Sequence, residues 1–112
     1  MYSISEDSTE ITLIRSDTLI VRVHPIRNDE EYVPEEGDII RFAMKRKWKD
    51  STDKVLINKV IPNDTLLLEL TPEDTMDLKA PRRYVWDIEL TDVNNRKDTF
   101  LRGYLLLKEE VC

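Results

Sequence analysis

The chain predicts an all-β sandwich of about seven strands, and three observations carry that expectation. The run from Pro62 to Leu78, followed by Tyr84 to Thr91, reads as a strand, one capped helical turn and a second strand, which is how a sandwich chain crosses from one sheet to the other. Within that second strand Tyr84, Trp86, Ile88 and Leu90 fall on one side, and Val85, Asp87, Glu89 and Thr91 on the other, giving one buried and one wet face. Only two glycines, Gly37 and Gly103, occur in 112 residues, so the turns rest on Asn, Asp and Pro, whose side chains or fixed φ support tight bends.

Those turn residues delimit strands at about 10–14, 18–25, 38–47, 54–61, 64–71, 83–91 and 98–107. Segment 72–79 reads as one short helical turn: Thr71 can cap it, Pro72 suits the first helical position, and Glu73 and Asp74 favour the positive end of the dipole. Alternation puts Leu19, Val21 and Val23, then Ile40, Phe42 and Met44, then Leu66, Leu68 and Leu70 on the core side with the Tyr84 set. The last strand is different. Leu101, Gly103, Leu105 and Leu107 share one face while Phe100, Tyr104 and Leu106 occupy the other, so it is expected to pack on something outside its own sandwich. The domain plan is a flexible N-terminus over 1–9, one β-sandwich over 10–108 and a tail over 109–112. The acidic stretch from Asn28 to Asp38 is expected as a solvated, mobile loop.

Composition narrows the function. Hydrophobic residues make up 40% and charged residues 36%, enough for one core under a heavily charged surface, and the net charge of −6 repels polyphosphate and anionic membrane. The sole cysteine is Cys112, so neither an internal disulfide nor a thiolate metal cluster is available. The first seven residues have no basic n-region and no apolar run, and no stretch approaches the roughly 20 apolar residues of a membrane helix. The expectation is a soluble chain made in the cytoplasm.

Residues with chemistry mostly take structural readings. His24, the single histidine, precedes Pro25 at a strand end and has no recognisable nucleophile to serve. Cys112 reads as an incidental surface thiol. The acidic groups Asp29, Glu30 and Glu31, then Glu35, Glu36 and Asp38, then Glu73, Asp74 and Asp77 lack the spacing of a calcium loop. Phosphate-cradling glycine loops and zinc spacings are absent, so no catalytic residue, metal ligand or cofactor is expected and the chain reads as a non-enzyme. The one basic, aromatic-bearing run is Lys45-Arg46-Lys47-Trp48-Lys49. Taken alone it suggests a nucleic-acid or acidic-protein contact, but the overall charge and the Asp50 and Asp53 that follow favour strand-end charges with Trp48 tucked against the core; a functional run suits an acidic protein surface better than DNA. Arg82 and Arg83 extend the same positive patch.

Four stretches fall in a familiar order: Ile14-Arg15-Ser16-Asp17-Thr18-Leu19, Leu70-Thr71-Pro72-Glu73-Asp74-Thr75, Tyr84-Val85-Trp86-Asp87-Ile88-Glu89-Leu90-Thr91 and Asp98-Thr99-Phe100-Leu101-Arg102-Gly103. The set resembles the immunoglobulin-like N-terminal domain of phage baseplate upper proteins, and similar small tail-associated proteins in phages and prophages of Gram-positive bacteria, over about residues 10 to 108. Ser16 stands where that family commonly has glycine. The resemblance implies an immunoglobulin-like antiparallel sandwich and a non-catalytic structural or assembly role in a phage tail or baseplate. It also implies location in the virion after synthesis in the host cytoplasm, and protein partners that include other tail proteins and further copies of the chain, without nucleic acid, membrane or cofactor. A second analogy places Tyr84 as the corner tyrosine of immunoglobulin domains and Trp86 where a disulfide cysteine stands.

The expected protein interface is Phe100, Tyr104, Leu106, Arg82 and Arg83, with apolar side chains and a free sheet edge as anchors. Two alternatives stand beside it. One is a small acidic phage-encoded inhibitor of a host protein, which needs its acids gathered on one face; the other is a carbohydrate-binding module, which needs an exposed aromatic platform such as Trp48.

Overall fold

The computed structural model describes residues 2–4, 10–27, 30–51 and 54–110. Cys112 lies outside the described residues, as do Asn28, Asp29 and Asp53. Ten strands and one short helix follow among the described residues: β1 (Tyr2–Ile4), β2 (Glu10–Ile14), β3 (Leu19–Arg22), β4 (Ile26–Arg27), β5 (Glu30–Glu31), β6 (Ile39–Lys45), β7 (Ile57–Ile61), β8 (Leu67–Leu70), α1 (Pro72–Thr75), β9 (Arg82–Thr91) and β10 (Lys97–Lys108). The chain is all-β and sandwich-like. A six-stranded sheet in the order β1-β2-β10-β9-β6-β7 faces the pair β3-β8, and β4-β5 form a third, two-residue ladder. Neighbours in the large sheet run antiparallel except β2 and β10, which pair in parallel from Tyr104 opposite Glu10 to Lys108 opposite Ile14.

The core lies between the sheets, where both inner faces shed water. Leu19, Leu68 and Leu70 of the small sheet meet Ile40, Phe42, Met44, Tyr84, Trp86, Ile88 and Leu90 of the large one, as the alternation predicts. Val21 and Leu66 are only half-buried, packed at its margin. Ile11, Leu13, Ile57, Ile61, Leu105 and Leu107 complete it from the other large-sheet strands. Phe42 stacks on Trp86 with ring centroids 5.8 Å apart, and the Trp86 indole N–H donates to the Tyr104 carbonyl at 3.0 Å, so this large side chain is buried with its polar atom paired.

The helical segment carries the chain from β8 in the small sheet to β9 in the large one, the crossing expected from its sequence. It is shorter than 72–79. Asp74 accepts hydrogen bonds from the Thr71 N–H at 2.7 Å and the Thr71 hydroxyl at 3.1 Å, and the Lys59 ammonium sits 2.9 Å away, tying α1 to edge strand β7. Thr75 is fully buried, and its hydroxyl oxygen accepts the Ser16 N–H at 2.9 Å. Ser16 takes the left-handed conformation, φ +70°, that glycine would take more easily. Past the helix, the Tyr84 hydroxyl donates to the Lys79 carbonyl at 2.7 Å, five residues upstream, with Trp86 buried two residues later. That is the hydrogen bond of a tyrosine corner.

Four expectations need correction. The last strand does not alternate throughout: its register with β9 shifts between Thr99 and Leu101, a bulge that turns Phe100 inward, so both Phe100 and Leu101 pack on the core. Val85, expected on the wet face, is 4% exposed. Residues 2–4, placed in a flexible N-terminus, form an antiparallel ladder with β2. The acidic stretch to Asp38 is a laced loop: Glu30–Glu31 pair with Ile26–Arg27, and the buried Asp38 carboxylate accepts from the Tyr32 hydroxyl at 2.6 Å and the Glu35 N–H at 2.8 Å.

Candidate functional site

One end of the large sheet collects cations and aromatics. β6 runs out at Lys45 and turns back over the sheet's outer face, held by the Lys45 ammonium donating to the Asp50 carbonyl at 2.7 Å and the Asp50 N–H donating to the Lys47 carbonyl at 3.1 Å. The turn lays Trp48 on that outer face rather than in the core, half-buried and edge-on to Tyr104 with centroids 6.1 Å apart. Tyr104 is the cross-strand partner of Val85, which explains why Val85 is dry.

Two guanidinium groups bracket the pair of rings. Arg102 lies 4.1 Å from the Trp48 centroid, and Arg83 lies 5.2 Å from the Tyr104 centroid while pairing with Glu10 at 3.2 Å. Both distances fall within cation–π range. Opposite Arg102 on β9, burial pushes the Asp87 carboxyl above its ordinary value, and the charges of Arg102 and Lys45 pull it the other way. The result is a ladder of alternating charge and ring across β2, β9 and β10.

Beside this ladder runs an open groove of about 650 Å³, lined by Arg46, Lys47, Lys49, Arg82 and Arg83 together with Trp48, Val85 and Tyr104. Among the described residues five cations and no carboxylate line it, which makes it basic. A second groove of about 540 Å³ continues past Arg46, Lys47 and Arg82 to Lys54, Lys79 and Tyr84, where Asp50 and Asp77 offset part of the charge. Backbone position alone puts these residues together: Lys45 pairs with Val85 across β6 and β9, so the turn after β6 and the start of β9 share one end.

Of the residues expected at an interface, Arg83, Tyr104 and Leu106 share the outer face of β9 and β10 at this end, while Arg82, paired with the buried Leu107, alternates onto the other face with Tyr84 and reaches the groove from the start of the strand; Arg83 and Tyr104 are exposed, Arg82 and Leu106 half-buried. Phe100 stands apart, inside the bulge. Arg102 and Val85 were not anticipated, although Arg102 shares the alternation of Tyr104 two residues on. His24 is exposed beside the buried Pro25. Among the described residues no three His, Cys, Asp or Glu side chains gather as a metal set, and no helix is long and apolar enough to cross a membrane.

Chemically, rigid guanidiniums and mobile ammonium groups around two rings suit carboxylates on a partner surface: Arg offers a planar fork, Lys a point charge, and the rings an apolar floor. Comparison with protein-family models, with curated proteins and with solved structures finds no match for this chain. The phage-tail expectation therefore rests on the motifs quoted above alone.

Proposed function

We propose that this chain is a non-catalytic binding module that docks an acidic protein surface at the basic end of its large sheet, and that its setting is the phage or prophage tail or baseplate that its motifs resemble. The observation that carries the docking reading is the groove that, among the described residues, is lined by five cations and no carboxylate in a chain of net charge −6. A cationic site that local on an anionic chain steers an acidic partner to one place and repels polyanions elsewhere. The ring pair beneath it adds the aromatic and Arg anchors that dominate interface energetics.

A labelled ten-residue glutamate peptide tests the docking. Binding that weakens at least tenfold in a K47A/R82A variant and falls steeply with salt is the expected result. A wild-type chain indifferent to the peptide removes the reading. The genes beside its own test the setting: tail-fibre and lysis genes support it, and a neighbourhood without them takes the tail out of the proposal. A carbohydrate platform is disfavoured because Arg102 already occupies a face of Trp48.

A further inference from the structure

We infer that the occupant of the basic groove is the opposite end of a second copy of this chain, so that the module associates head to tail; this rests on the docking reading given above. Two central strands of the large sheet, β6 and β9, carry opposite charge at their two ends. Arg46, Lys47 and Lys49 follow β6 while Arg82 and Arg83 open β9, and these lie together. At the far end β6 begins after Glu35, Glu36 and Asp38, and Asp92 follows the last residue of β9. There a cleft of about 700 Å³ is lined by the four acids Glu30, Glu31, Asp92 and Asp98, by Tyr32, and by the two cations Arg96 and Lys97, so acids outnumber bases; Arg96 pairs within that end with Asp92.

Size supports the assignment. The twelve residues of β10 span about 40 Å at the usual strand rise, close to the molecule's longest dimension of 45 Å, so the two charged ends sit at the extremes of the long axis. The other dimensions are 27 and 26 Å. An end face of that section offers roughly 700 Å², close to the roughly 800 Å² that each partner contributes to a standard interface. Two basic ends repel one another and so do two acidic ends, so a two-fold contact through either is disfavoured. The charge pattern selects a heterologous contact, which propagates into a ring or a filament according to whether its rotation closes.

Light scattering behind size-exclusion chromatography on the full chain tests this. At about 50 mM salt the mass should rise with concentration, and at about 500 mM the chain should run as a monomer. The variants K47A/R82A and E30Q/E31Q should each associate at least tenfold more weakly, and their equimolar mixture should form a dimer of one copy of each that grows no further, because each retains the end the other lacks. Self-association that survives both variants, or a mixture that behaves as its components do, overturns the inference. So does a wild type that stays monomeric at low salt while binding the glutamate peptide, in which case the docking reading stands. Binding neither peptide nor itself overturns both, and tighter binding of a single-stranded oligonucleotide than of the peptide assigns the groove to nucleic acid instead.

Discussion

Replacing Gly37 with alanine separates two costs that the structure places at one atom. Gly37 has φ +94°, where an L side chain is strained, and a Cβ built on it stands 2.6 Å from Val93 Cγ1 in the β9–β10 turn. Carbon atoms prefer about 3.5–4.0 Å, so one group must move by roughly 1 Å. The left-handed backbone costs about 1–2 kcal/mol, and the contact adds about 1–2 kcal/mol on the scale of overpacking. Loss of glycine's freedom in the unfolded chain returns about 0.5 kcal/mol. The net for G37A is about 1.5–3.5 kcal/mol, and with a urea slope of about 1.5 kcal/mol/M the midpoint falls by about 1–2.3 M.

Val93 is 63% exposed, so V93A alone should change stability by less than about 0.5 kcal/mol. In the double variant the contact disappears and the strain remains, leaving a coupling of about 1 kcal/mol. Urea unfolding followed by the fluorescence of Trp48 and Trp86 reads all four proteins. A G37A variant that costs the same with and without V93A refutes the contact, and one within 0.5 kcal/mol of wild type refutes the strain as well.

Three further substitutions test other joints. Y84F removes the hydrogen bond to the Lys79 carbonyl and should cost about 0.5–1.5 kcal/mol in the same assay; an unchanged midpoint would mean the corner contributes nothing. Burial works against ionisation of Asp74, but the contacts from Lys59 and Thr71 outweigh it and hold its carboxyl below the ordinary value. Its contribution is therefore present above the usual carboxylate range and lost as pH falls through the folded value, so D74N should lower the midpoint at pH 7 and narrow its gap to wild type in acid. Asp87 carries the opposite sign: burial first, against Arg102 and Lys45, raises its carboxyl, and the stability this gives is full below the unfolded value and lost as pH rises through the folded one. D87N should therefore raise the midpoint at pH 7 relative to wild type, and a lower midpoint there would show that Arg102 depends on the carboxylate.

Much of the core was legible because burial follows period two. Leu68, Leu70, Ile40, Phe42, Met44 and the Tyr84 set needed no more than alternation, and the tyrosine corner followed from the spacing of Tyr84 and Trp86. Phe100 was misplaced because a bulge inserts a residue without any signature in composition, shifting every residue before it to the other face. Val85 and Trp48 were misplaced for a related reason: what lies over a strand's outer face depends on where a distant turn folds. The basic run and the Arg82-Arg83 pair were visible separately, but their union depends on the register that sets Lys45 opposite Val85.

The parallel pairing of β2 with β10 bears on how the chain is made. Arg15 meets Glu110 across 95 residues, and β10 fills a central slot between β2 and β9. Because β10 follows β2 and β9 in synthesis, a nascent chain on the ribosome presents two bare edges, one on β2 and one on β9, until β10 emerges. Such remote closure makes folding slow and leaves the waiting intermediate open to edge-to-edge aggregation. Slowing translation before Lys97 should lengthen that exposure and lower the soluble yield.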